Sequence, residues 1–309
     1  MLFAVFDAAT VKQLTVDGFF RGCSYGLLGA GFALILGVTG RFHFAYGFTY
    51  TLAVYMAWQF TFPLGLPFWP SAILGVLFAA LVGVLIERIV YRPLVANAGA
   101  NALLAVFVAS LGLGIAGENF IRLYWGSQTQ NYYGPDKVAY TVWGTTFINF
   151  DVWQAASAII LVVALAATLR WTALGRQIKA TRVNPDLARI IGINANTIYL
   201  IVFFIGTVFA GVAAIWYGLK YTVDPGMGFT PVIYAFVVAF LAGTARSPVR
   251  VFLTGIVVAL IEQYSSIWLS ARWTQTAVFV VLVVYLSYLA FKQSAFRTRL
   301  RRLVPAMRS

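Results

Sequence analysis

Nine apolar runs separated by short polar breaks organise this 309-residue chain, at 18–38, 43–61, 69–90, 101–121, 152–169, 198–218, 230–245, 251–270 and 275–291. A bilayer core about 30 Å thick takes roughly 20 apolar residues of helix, so each run predicts a membrane-crossing helix. The second and seventh are short or glycine-flanked, which sets the expected count at about nine, within 8–10. The pattern predicts an all-α integral membrane protein with some short or broken helices. Only two stretches, 122–150 and 170–197, are long and polar enough to form substantial loops, so residues 1–309 read as a single transmembrane domain.

Composition closes off the soluble alternative. With 61% apolar residues, 10% charged and a mean hydropathy of +0.85, the chain has too little polar surface to cover a globule of this size. Charge then orients it. With the N-terminus outside, the 22 basic residues divide 16 to 6 in favour of the inner loops and tail, which satisfies the positive-inside rule and predicts an N-out, C-in topology. The stretch 122–150 becomes the outer, periplasmic loop and 170–197 the cytoplasmic one. The net charge of +13 sits in loops beside spans and in the tail 292–308, a placement that matches lipid headgroups rather than nucleic acid.

Other features narrow the chemistry. Asp7 precedes any basic residue and no small-residue cleavage site follows, so the first span reads as retained. Cys23 is alone, which excludes an intrachain disulfide and a cysteine metal site. Gly112-Leu-Gly-Ile-Ala-Gly117 has dinucleotide-fingerprint spacing but lies inside an apolar run with no preceding strand, and no Walker A pattern occurs anywhere. No catalytic triad, carboxylate pair or metal-ligand cluster is visible; transport with ATP bound elsewhere fits better than enzymatic chemistry. Gly18, Gly22, Gly26 and Ala30 form a smooth stripe for close helix approach, either within the chain or between subunits. In the outer loop, Tyr132 to Phe150 suggests a turn followed by a short hairpin or an amphipathic cap.

Ionisable groups within a bilayer need a partner, water or a function. Glu118, with Asn119 beside it and Arg122 one turn on, is a candidate ion pair or pathway group. Glu262, followed by Gln263, faces either a neighbouring helix or the path. Asp17 and Arg21 have i,i+4 spacing and read as a pair. Between the first two runs, Gly40-Arg-Phe-His-Phe-Ala-Tyr-Gly47 carries glycines that permit a helix break, tolerated in a membrane only when buried or lining a cavity. Gly40, His43, Phe44, Tyr46 and Gly47 are therefore pathway candidates, with His43 either a hydrogen-bonded structural group or pore-facing. A second glycine-rich break, Asp224-Pro-Gly-Met-Gly228, precedes the seventh run.

The cytoplasmic stretch contains a short helix with strong signals. Asn184 is a cap, Pro185 fits the first helical position, Asp186 favours the positive dipole end and Gly192 marks the stop. So short a helix is unstable alone and needs a surface to lie on. Leu187, Ile190 and Ile191 supply one apolar side, with Leu174 and Ile178 on a separate face upstream. A groove on a cytoplasmic partner fits this pattern, and a bed of lipid headgroups is the alternative.

The run Thr172-x-Leu174-Gly-Arg176-x-x-x-Ala180 followed by Asn184-Pro-Asp-x-Ala188-x-x-x-Gly192-Ile-Asn194 resembles the coupling loop of permeases in branched-chain amino acid ABC importers. Leu36-Gly-Val-Thr-Gly40, Phe44-Ala-x-Gly47, Glu87-Arg-x-x-Tyr-Arg-Pro93, Gly226-Met-Gly228 and Glu262 support it, and the match is to the LivH-type half of a heterodimeric permease. The break reads His43-Phe-Ala-Tyr-Gly47 where such permeases commonly read Asn-Phe-Ala-His-Gly. The resemblance implies a bacterial inner-membrane subunit paired with a second related permease, two cytoplasmic ATPases that bind the ATP, and a periplasmic substrate-binding protein seated at 122–150. It implies coupling through Leu174, Arg176 and residues 184–192, and a cargo that is a branched-chain amino acid or a related urea, amide or organic acid. The alternative is an ion-coupled secondary transporter using Glu118 or Glu262.

Overall fold

The computed structural model describes residues 7–132, 134–243, 247–270, 273, 274, 276, 278–285, 287 and 288. The chain is built from helices α1 (Ala8–Thr39), α2 (Tyr46–Thr61), α3 (Phe68–Leu85), α4 (Arg92–Ala98), α5 (Ala102–Trp125), α6 (Asn149–Trp171), α7 (Ala173–Val183), α8 (Pro185–Ile190), α9 (Ala195–Lys220), α10 (Phe229–Ala242) and α11 (Pro248–Ser265). A wide π turn, Ile86–Tyr91, joins α3 to α4. Six of the described helical stretches are long and apolar enough to cross a membrane: α1, α3 through α4, α5, α6, α9 and α11. The runs at 43–61 and 230–245 form shorter helices of 16 and 14 residues. At 1.5 Å per residue neither reaches across a 30 Å core. The ninth run, 275–291, lies only partly among the described residues, and the basic tail 292–308 lies outside them.

One departure from an all-helical reading lies in the loop between α5 and α6, where strands β1 (Ala139–Val142) and β2 (Thr145–Ile148) form an antiparallel hairpin. Trp143 and Gly144 both take positive φ, 53° and 81°, the backbone a two-residue type I′ turn requires. Open strand edges of this kind are tolerated only away from the hydrocarbon of a bilayer. The hairpin is clamped to α1, because the Gln13 amide both donates to and accepts from the backbone of Thr146 at 2.9 Å. This contact explains why α1 begins ten residues before the apolar run.

α1 and α9 form the buried centre, while α5 and α6 are buried over only 22% and 28% of their apolar windows. The glycine stripe of α1 packs against α11 of the same chain. A Cβ added to Gly22 would fall 2.5 Å from the Ile256 Cα, and one added to Gly255 would fall 2.3 Å from the Gly26 nitrogen. Backbone contact this close corrects one sequence expectation. Asp17 and Arg21 do not pair: the Gln13 amide donates to Asp17 at 2.9 Å, and Arg21 reaches across the narrow gap to Glu262 at 3.3 Å.

Gly255→Leu is expected to push α11 off α1 and lower stability by about 1–3 kcal/mol, the usual cost of overpacking. Gly112→Leu, at a glycine with open space around it, should not. Thermal unfolding midpoints of the two variants in detergent check this; equal midpoints would contradict the packing argument.

Candidate functional site

Ends of helices and breaks between them gather the polar chemistry at two levels of the molecule, one near the hairpin and one near α8. At the hairpin end, α2, α5 and α10 enclose a cleft of about 100 Å³. Phe44, Gly47 and Phe48 come from the break and the start of α2, Gly114 and Glu118 from α5, and Gly226 and Gly228 from the loop before α10. The glycines let the two helix starts touch: a Cβ on Gly228 would lie 2.0 Å from the Gly47 carbonyl oxygen. At the mouth, Arg122 donates to Glu118 at 2.6 Å, and a Cβ on Gly226 would lie within 3.5 Å of Glu118, Asp224 and Arg122. The mouth therefore offers charges of both signs within a few ångströms.

The other pathway candidates separate from this cleft. Asn119 is exposed and donates to the Ile115 carbonyl at 2.8 Å. His43 is fully buried, its Nδ1 lying 2.9 Å from the Tyr91 hydroxyl, and it packs against Tyr46 and Phe203. Tyr46 points into the core, its hydroxyl donating to the Gly206 carbonyl at 3.0 Å. Glu262 accepts from Tyr25 at 2.8 Å and Tyr234 at 2.9 Å in addition to its Arg21 contact, so it ties α1, α10 and α11 together. Gln263 lies over Gly18. Of the candidates from the sequence, Phe44, Gly47 and Glu118 share the cleft. Gly40 belongs to the second level.

There, α1 stops at Gly40, whose φ of 66° closes the helix with a bond from its N–H to the Leu36 carbonyl. The next residue, Arg41, turns inward and pairs with Glu87, which the π turn presents to the core; their side chains are 8% and 1% exposed. The Arg41 guanidinium also stacks 5.0 Å over the ring of Tyr199 on α9. Charge counting missed this pair, because both residues lie at span ends where charges ordinarily face water. The signal available was Arg41 within a break that has to be buried or lined by a cavity. Beside the pair lies a cavity of about 460 Å³, walled by Gly40, Arg41, Arg92, Val106, Pro185, Arg189 and Tyr199 among others.

Pro185 and Arg189 belong to α8, so the short helix forms one wall of that cavity. Its local structure follows the sequence closely. The Asn184 side chain accepts from the Asp186 and Leu187 backbone at 2.9 and 3.0 Å, Arg189 pairs with Asp186 at 3.0 Å, and Gly192 takes a φ of 83°. Ala188 faces inward, 2% exposed, whereas Leu187, Ile190 and Ile191 are 60%, 79% and 71% exposed. Upstream, α7 turns Ile178 into the core and packs Leu174 against it, leaving Arg176 outside. The outward apolar side chains therefore come from α8 and the residue after it, with Val183 at the end of α7 also 86% exposed. Among the described residues, no three His, Cys, Asp or Glu side chains gather closely enough to hold a metal ion.

Comparison with known proteins accounts for most of the chain. The profile of the family described as branched-chain amino acid transport system, permease component, matches residues 14–287. The high-affinity branched-chain amino acid transport system permease protein BraD of Pseudomonas aeruginosa is 27% identical over 292 residues, covering 89% of this chain and 93% of BraD. The permease protein LivH of Salmonella typhimurium is 25% identical over 288 residues, covering 89% and 92%. Among solved structures, one chain of PsaBC from Streptococcus pneumoniae in complex with Fab aligns at 14% identity and a TM-score of 0.49, covering 94% of this chain and 100% of that one.

Arg41→Met should leave Glu87 buried without its partner and cost about 3–5 kcal/mol, whereas replacing both residues, Arg41→Met with Glu87→Leu, should recover most of the loss. Detergent unfolding midpoints test this. A double variant as unstable as the single one would show that the pair is not the source.

Proposed function

The chain belongs to the branched-chain amino acid transport system permease family, and on that premise we propose that it is the permease subunit of an ATP-driven importer. It is a multi-pass inner-membrane protein. The observation that carries the importer reading is α8, a capped helix of six residues that holds Leu187 and Ile190 outward, with Ile191 outward at its end. Exposed apolar side chains beside buried ones mark a docking face. Residues 184–192, with Arg176 nearby, form the contact for an ATPase subunit, and two such ATPases bind the ATP; the permease itself needs no cofactor.

The rest of the assembly follows from the same reading. Residues 1–309 form one permease domain with about nine membrane helices, two of them too short to cross the core alone, N-terminus out and C-terminus in, and a second related permease completes a heterodimeric pore. The hairpin end, at 122–150, receives a periplasmic binding protein. The cargo is a branched-chain amino acid or a similarly small polar solute. The mouth of the cleft, with Glu118, Asp224 and Arg122, offers partners for both the ammonium and the carboxylate of an amino acid, which supports that class. Glu118 and Glu262 are each held by an arginine, an arrangement that favours structural pairing over a proton-coupled mechanism.

Leu187→Asp with Ile190→Asp is expected to abolish co-purification of the ATPase subunits and reduce ATP-dependent uptake to background, with membrane insertion intact. Undiminished co-purification would refute docking through α8. Proton-driven uptake by this chain alone in liposomes would overturn the importer reading altogether.

A further inference from the structure

The two cavities are joined by one stripe of α5. Leu103 and Val106 line the cavity at the α8 end, and Leu111, Gly114 and Glu118 line the cleft at the hairpin end. Leu103, Phe107, Leu111, Gly114 and Glu118 follow in steps of three and four residues, which places them on one side of the helix, with Val106 beside Phe107. From Leu103 to Glu118 the stripe runs about 22 Å at 1.5 Å per residue, most of the thickness of a bilayer core. The same order recurs on the neighbouring elements. In the break, Gly40 and Arg41 border one cavity and Phe44 and Gly47 the other, with Phe42 between them. On α10, Val232 lines the cleft, and Phe236 and Phe240 follow at one and two turns toward the α8 end.

Phe44, at the edge of the cleft, and the phenylalanines that fall between the cavities meet one another. Phe42 lies 5.9 Å from Phe107 and is stacked on Phe240 at 6.1 Å. Phe44 lies 5.4 Å from Phe107 and 5.8 Å from Phe236, and Phe236 lies 4.4 Å from Phe240. All five are half-buried, so the cluster sits at the border of the core with part of each ring facing outward beside the sparsely covered α5. The rings themselves carry no hydrogen-bonding group with which to hold water or a solute. An apolar constriction of this kind excludes water and charge by dewetting until its walls part.

We propose that Phe42, Phe44, Phe107, Phe236 and Phe240 form the closed gate of a transport path that runs along the Leu103 to Glu118 stripe of α5. The path accepts a small polar solute at the Glu118 end and releases it into the arginine-lined cavity at the α8 end. The proposal rests on the transport reading above but not on its energy source. Because α8 walls the lower cavity and the break carries two of the five rings, movement of α8 has a short route to the gate through Gly40 and Arg41.

Cys23 is the only cysteine, so Cys23→Ala supplies a background free of thiols. The test places Leu111→Cys or Leu103→Cys in that background in the full chain, in sealed membrane vesicles of either orientation. The probe is the membrane-impermeant thiol reagent methanethiosulfonate ethyltrimethylammonium. Leu111→Cys is expected to react from the side bearing Glu118 and Leu103→Cys from the opposite side, each about tenfold faster than from the wrong side, as a dry constriction between them requires. Adding Phe107→Ala with Phe240→Ala should remove the sidedness, and the same two positions changed to Leu should keep it. Monodispersity in size-exclusion chromatography shows which variants are folded. Should the paired alanines disrupt folding, Phe44→Ala alone is read in the same way and is expected to weaken the sidedness. Unreactive cysteines at both positions, or sidedness that survives ring removal in folded protein, would overturn the gate. Loss of ATPase docking alone would leave this labelling pattern unchanged, so the two readings fail separately.

Discussion

A charged pair buried where a membrane helix has been broken is the constraint on which the rest of this structure hangs. α1 cannot simply stop at Gly40 within an apolar chain, because the freed backbone groups and the Arg41 guanidinium both need partners. The Leu36 carbonyl, Glu87 and the ring of Tyr199 supply them. The cost falls on α3, which widens into a π turn at Ile86–Tyr91 that holds both Glu87 and Tyr91 inward. Tyr91 in turn lies within hydrogen-bond distance of His43. The break is thus over-determined by three helices, and this fixes where α2 starts. With Gly47 set against Gly228, it also fixes where α10 starts.

Such fixing explains which sequence signals were legible. Local signals survived intact: the Asn184 cap, Pro185 and Gly192 act within one turn of backbone, and no distant residue competes with them. The Gly18, Gly22 and Gly26 stripe was also readable as a close-approach surface, though its partner α11 was not, since a smooth face accepts any backbone. Pairings across the fold were hidden. Arg21 has Asp17 at ideal helical spacing, yet the glycine-narrowed gap to α11 brings Glu262, the more buried of the two carboxylates, within reach. Arg41 and Glu87 sit 46 positions apart at the edges of separate runs, where a charge normally reads as a solvated end.

The site was legible to a similar degree, and for the same reason. A glycine-flanked break with Phe44 and Gly47 marked one wall of the cleft, and an intramembrane carboxylate, Glu118, marked another. His43 and Tyr46, which have the more eye-catching chemistry, turned inward, because a broken helix must satisfy its own surroundings before it can serve a path. Apart from Phe44, phenylalanine carried no signal. With 26 such residues in the chain, nothing in the sequence distinguishes Phe42, Phe107, Phe236 and Phe240, which meet between the cavities, from those that only fill the core.

Geometry also constrains how force from α8 is transmitted. With only six residues, α8 has little stability of its own, and it is held by Ala188, its caps and the return bond from Ile193 to the Ala188 carbonyl. A partner gripping Leu187, Ile190 and Ile191 would therefore move α8 as a unit rather than unwind it, since the grip and the anchor lie on opposite sides of the same turn. Pro185 and Arg189 travel with it, and they share a cavity wall with Gly40 and Arg41. A packed, ion-paired element does not deform gradually; it holds or it switches arrangement. A partner that shifted α8 would, through the Arg41 and Glu87 pair, shift the break as well, and the break carries Phe42 and Phe44 with it.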